Sequence, residues 1–124
     1  LPFLYVRSSA KDHGMKNMVE GDLTVGRSVV IVEDLVSTGR SSLNAVHALR
    51  EAGCEVKGMV AVFTYGFEMA RAAFEEEKVK LYTLTNYSIL LDQALRSDYI
   101  TEKDLVPLNE WRKDPAGWKV KVEG

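Results

Sequence analysis

The stretch VVIVEDLVSTGRSS, Val29 to Ser42, decides how this chain is read. Four β-branched residues, Val29 to Val32, favour a strand. Two adjacent carboxylates, Glu33 and Asp34, follow it directly, and then a turn dominated by Ser37, Thr38, Gly39, Ser41 and Ser42. A helix is predicted from about Leu43. Ligands of open parallel sheets bind beyond the carboxyl ends of the strands, and this turn would lie there.

Working outward, short β-rich apolar runs recur at 2–6, 29–32, 59–63 and 81–84. The middle runs alternate with segments of helical period, the pattern of βαβ crossovers and a parallel sheet, so the expected class is α/β. Leu43, Val46 and Leu49, with Ala45, Ala48 and Ala52, form the apolar stripe of a first helix ending at Gly53. Phe67, Ala70 and Phe74 mark a second helix after Gly66, which runs out into the solvated charges of EEEK. Asn86 or Ser88 can cap a third helix carrying Ile89, Leu90, Leu91, Ala94 and Leu95, and TEKD from Thr101 reads as a capping box for a last one towards Trp111. The tail DPAGWKVKVEG is expected at the surface. No repeat, linker or low-complexity tract divides residues 1–124, so they are expected to form a single domain.

Composition narrows the function classes. Of 124 residues, 46% are hydrophobic and 27% charged, within the range of a globular domain. The 16 basic and 18 acidic side chains give a net charge of −2, so no basic field favours nucleic acid and any anion site must be local. The single cysteine, Cys54, cannot form an internal disulfide, which points to a reducing, cytoplasmic setting. The apolar runs are far shorter than the ~20 residues that span a bilayer, so no membrane association is expected.

The turn after Asp34 suits a phosphate. Its hydroxyls donate, Gly39 permits a left-handed or close-approaching backbone, and a helix start adds free N–H groups at its positive end. The lysine of a Walker loop is absent, and GxGxxG occurs nowhere. Two carboxylates beside a phosphate repel it unless a cation or a polyol lies between them. A sugar phosphate satisfies both halves, its phosphate on the Ser/Thr/Gly turn and its hydroxyls on Glu33 and Asp34. The bland alternative is a serine-rich helix start beside two surface acids.

These residues resemble the phosphoribosyl pyrophosphate (PRPP) motif of the type I phosphoribosyltransferases: an apolar strand, two acids, then a Thr/Ser-Gly-Ser loop. YVRSSAKDHG followed by NMVEG resembles the mobile catalytic loop of the orotate phosphoribosyltransferase family. The pair, in this order, is far more specific than either alone, and the resemblance continues through LREAGCEVKG, FTYGFE and LTNYSILL. It implies a Rossmann-like parallel sheet flanked by helices, with a long flexible loop after the first strand. It also implies Mg²⁺-dependent transfer of ribose 5-phosphate from PRPP to orotate, giving orotidine 5′-monophosphate and pyrophosphate in pyrimidine biosynthesis.

The roles it implies run residue by residue. Lys11, His13 and Asp34 would be catalytic. PRPP would be bound by Arg7, Lys11 and His13 at the pyrophosphate, by Glu33 and Asp34 at the ribose hydroxyls, and by Leu35, Val36, Ser37, Thr38, Gly39, Arg40, Ser41 and Ser42 around the 5′-phosphate. Ser37 would also contact orotate. Mg²⁺ would arrive on PRPP and water with no direct protein ligand. The loop 7–23 would reach the neighbouring subunit's site in a homodimer.

Ser8 stands where some members have a second basic residue, and no arginine follows FTYGFE, so base recognition is expected to rest on residues before Leu1. The family's N-terminal strand, pyrophosphate loop and part of the hood over the base are likewise expected to lie outside this chain. Three alternatives stay open: transfer to a different base, against which AKDHG argues, a non-catalytic PRPP-binding regulator, and a PRPP-synthase-like relative, for whose ATP site nothing in the sequence argues. Away from the motifs, His47 reads as an ordinary helix residue and Cys54 as a small apolar one. Tyr82, Tyr87, Phe67 and Phe74 read as core, and Trp111 and Trp118 as tail packing or dimer contacts.

Overall fold

The computed structural model describes residues 2–7 and 19–119. A short antiparallel pair, β1 (Leu4–Val6) and β2 (Val19–Gly21), comes first, with Tyr5 opposite Glu20. The parallel sheet is built from β3 (Ser28–Val36), β4 (Glu55–Thr64) and β5 (Leu81–Asn86), in that order across the sheet. Its connections are the helices α1 (Arg40–Glu51) and α2 (Glu68–Glu76). The helices α3 (Tyr87–Arg96) and α4 (Glu102–Lys113) follow β5.

Strand order explains the layering. Crossovers between parallel strands are right-handed, so strands added one after another in a single direction send every crossover helix to the same face. Leu43 and Val46 of α1 and Ala70 and Phe74 of α2 accordingly pack in one cluster with Ile31, Met59, Ala61 and Leu81 of the sheet. Val30, Val32, Val60, Val62, Tyr82 and Leu84 alternate with those residues and point to the other face, where they are exposed, Val32 at 81% and Leu84 at 75%. Tyr82 is therefore a surface residue, contrary to the sequence expectation. An aromatic residue in a strand shows its β-propensity in the sequence but not which face of the sheet it lies on.

Local signals set the element ends. Helix α1 starts at Arg40, three residues before the first large apolar side chain, because Gly39 at φ 88° turns the chain into it. The Asn86 side chain accepts the Ile89 N–H at 3.0 Å and starts α3. Asp104 closes the expected capping box on the Thr101 N–H at 2.8 Å. Gly53 at φ 89° ends the first crossover before β4. Among the described residues, no helix is long and apolar enough to cross a membrane.

Candidate active site

The carboxyl end of β3 carries the two acids, and the pleat separates them. Glu33 follows Ile31 on the helix-covered face and is half-buried, whereas Asp34 follows Val32 on the open face and is exposed. The Ser42 hydroxyl donates to Glu33 Oε2 at 3.1 Å. Asp34 Oδ1 accepts the Leu35 N–H at 2.7 Å. Among the described residues, the other oxygen of each carboxylate has no donor and can accept one from a ligand.

Beyond the acids the strand end is clamped. The Val36 carbonyl accepts both the Tyr65 N–H at 3.3 Å and the Thr64 hydroxyl at 3.2 Å, which ties the end of β3 to the end of β4. Val36 itself is fully buried, so its contribution to any ligand site is made by its backbone. Ser37, Thr38, Arg40 and Ser41 are exposed around the start of α1. Gly39 has a second reason to be glycine besides its left-handed φ: a Cβ there would lie 3.2 Å from the Phe74 ring.

The first turn of α1 has no acidic residue, and its N-cap residue, Gly39, has no side chain to accept from it. The Arg40 N–H meets Thr38 Oγ1 only at 3.4 Å. Backbone donors at the positive end of this helix are thus left for an anion, with the Ser37, Thr38 and Ser41 side chains around them.

Arg7 directly follows β1 and pairs with Glu20 of β2 at 2.6 Å. Lys11 and His13 lie outside the described residues. Among the described residues, no cluster of three or more His, Cys, Asp and Glu could hold a metal ion. His47 contacts Glu77 at 3.1 Å on the helix surface, and Cys54 is buried, in keeping with the plain structural roles expected of both.

Tyr65, just past β4, went unnoticed in the sequence. It stacks on Phe67 with ring centroids 5.3 Å apart and meets Phe63 and Trp111 edge-on. Tyr87 closes this cluster against Trp111, and its hydroxyl donates to the Leu108 carbonyl at 3.2 Å. Burial, and then the neighbouring Tyr65, push the Tyr87 hydroxyl above the ordinary tyrosine range. The period-two spacing of Phe63, Tyr65 and Phe67 at a strand end was the available signal. These rings brace α3 and α4 against the same sheet end that carries the site, and Trp118 joins Tyr65, Tyr87 and Trp111 in lining an adjacent groove.

The sheet, its crossovers and the motif at the end of β3 define a type I phosphoribosyltransferase fold. No protein-family model matches the chain. An orotate phosphoribosyltransferase of Bacteroides fragilis is 62% identical over 119 residues, 96% of this chain and 56% of that protein. Among solved structures, a Leishmania donovani UMP synthase superposes with a TM-score of 0.73 at 29% identity, over 90% of this chain and 24% of that one. A Mycobacterium tuberculosis orotate phosphoribosyltransferase in complex with PRPP gives 0.57 at 33% identity, over 68% and 47%. The chain belongs to the orotate phosphoribosyltransferase family. It spans about half the length of the curated relatives it matches.

Proposed function

We propose that this chain supplies the PRPP-binding part of an orotate phosphoribosyltransferase, which transfers ribose 5-phosphate from PRPP to orotate and releases pyrophosphate. One observation carries the reading: among the described residues, Glu33 and Asp34 each present an unused oxygen beside an α1 start whose glycine N-cap has no side chain to take its backbone donors. The orotate phosphoribosyltransferases among its relatives and the PRPP complex of one structural neighbour support it. Residues 1–124 would act as one domain, in the cytoplasm, in pyrimidine synthesis.

The division of labour follows from charge. The first turn of α1, with Ser37, Thr38, Gly39, Arg40 and Ser41, holds the 5′-phosphate, and Leu35 and Val36 contribute backbone. Glu33 and Asp34 accept from the ribose hydroxyls and fix the ring, and Ser37 also contacts orotate. As the bond from C1′ to pyrophosphate breaks, positive charge grows on the ribose and negative charge on the leaving group. Lys11, His13 and Arg7 answer the second, an interaction strongest in the transition state. Loop closure over the site excludes water that would compete with orotate for C1′.

The unused oxygen of the exposed Asp34 suits Mg²⁺ that arrives on PRPP and keeps its waters, from which Asp34 would accept. Bound there, the ion would neutralise phosphate charge. The loop 7–23 would act on the site of a second subunit in a homodimer. Mixing a Lys11→Ala protein with an Asp34→Asn protein should then restore part of the activity lost in each, because a mixed dimer assembles one intact site.

The primary test places this chain in the Bacteroides fragilis relative in exchange for the region it matches. PRPP-dependent loss of orotate absorbance, with Mg²⁺ and with adenine as the control base, is the expected result. Turnover of adenine alone would replace the substrate, and PRPP binding without turnover of either base would favour a regulator.

A further inference from the structure

Ser42 is 1% exposed, the only polar residue among the described ones to be so fully buried. It stands third in α1, in the turn whose backbone is open to an anion, and its hydroxyl donates to Glu33 Oε2 at 3.1 Å. A helical serine commonly satisfies its hydroxyl on a carbonyl one turn back. Here the donor crosses from helix to strand, nine residues along the chain, to meet a carboxylate.

We propose that Ser42 is a positioning residue. It orients the Glu33 carboxylate for the ribose hydroxyls, and its side chain is not a phosphate ligand. The inference rests on the ribose-phosphate reading above and adds to it the means by which one acid is held.

With one acceptor site of Oε2 taken, Oε1 is the freer oxygen for a ligand hydroxyl, so the contact favours one of the two carboxylate edges. It also selects a side-chain rotamer before the ligand arrives, which removes an ordering cost from binding. Because Ser42 sits in the first turn of α1, Glu33 is mechanically joined to the backbone that would hold the phosphate. Asp34 is exposed, and among the described residues it is held by its neighbour's N–H alone, with no such brace. The two acids therefore reach a ligand differently prepared, Glu33 preset and Asp34 free to adjust.

The test compares two ligands that share a phosphate and differ in the ring diol, ribose 5-phosphate and glycerol 3-phosphate, by calorimetry on the 124-residue chain. Ser42→Ala should weaken ribose 5-phosphate about tenfold, the size of one lost hydrogen bond to a charged group. Glycerol 3-phosphate should stay within about twofold. In a Glu33→Ala background the same Ser42→Ala change should have no further effect, because the two residues act as one unit. The carboxyl ¹³C resonance of Glu33 should move in Ser42→Ala without any ligand.

Equal weakening of both ligands would make Ser42 a phosphate ligand and overturn the proposal. So would full additivity with Glu33→Ala, or an unmoved Glu33 resonance. A wild-type chain that binds neither ligand would instead overturn the ribose-phosphate reading itself, a result visible before any variant is made.

Discussion

The two faces of the parallel sheet carry nearly the same kinds of side chain and have opposite fates. Ile31, Met59, Ala61 and Leu81 lie under α1 and α2, while Val30, Val32, Val60, Val62, Tyr82 and Leu84 face outward. Hydrophobicity cannot separate them. The difference comes from connectivity, since three strands laid down in sequence with right-handed crossovers place both helices on one side. The same division runs through the candidate site, which takes Glu33 from the covered face and Asp34 from the open one.

The largest expected effect is on the covered side. Phe74→Ala in α2, where Phe74 meets both the core and Gly39, should cost about 3–5 kcal/mol in chemical denaturation. A loss under about 1 kcal/mol would mean that this face is not the organising core. Gly39→Ala comes next at about 1–2 kcal/mol, from the left-handed backbone at φ 88° that a Cβ opposes. It should also weaken inorganic phosphate binding, and an unchanged phosphate affinity would separate the turn from anion recognition.

On the open side, Asp34→Asn should leave the unfolding free energy within about 0.5 kcal/mol while weakening PRPP about tenfold by calorimetry. A stability loss matching that of Phe74→Ala would show that Asp34 is structural. Smallest of all, Val32→Thr combined with Leu84→Thr should change the stability of this chain by no more than about 0.5 kcal/mol per site and reduce binding of a hydrophobic dye. A large destabilisation would mean that the open face is covered in solution by another copy of the chain.

Much of the arrangement was legible because it rests on local rules. The cap at Asn86 and the capping box at Thr101 depend on side chains meeting backbone within three residues, and both read directly from the sequence. The stripe of Leu43, Val46 and Leu49 gave α1 and its buried face, though not its start, because Gly39 begins the helix by backbone conformation rather than by a capping side chain. Tyr82 was misread and Tyr65 overlooked because burial of an aromatic residue in or beside a strand depends on what covers it.

For the site, the sequence by itself determined the inventory: a strand ending in Glu33 and Asp34, a glycine in the turn, and hydroxyls at a helix start. Those features follow from residue type and spacing, which the chain carries in full. Only the tertiary structure decided the roles within that inventory, because they depend on direction. The pleat sent the two carboxylates to opposite faces, and the docking of α1 turned Ser42 inward to Glu33 while Ser41 stayed at the surface. Adjacent serines of equal chemistry were divided by the helix's rotation about its axis, a quantity set by packing Leu43 and Val46 against the sheet.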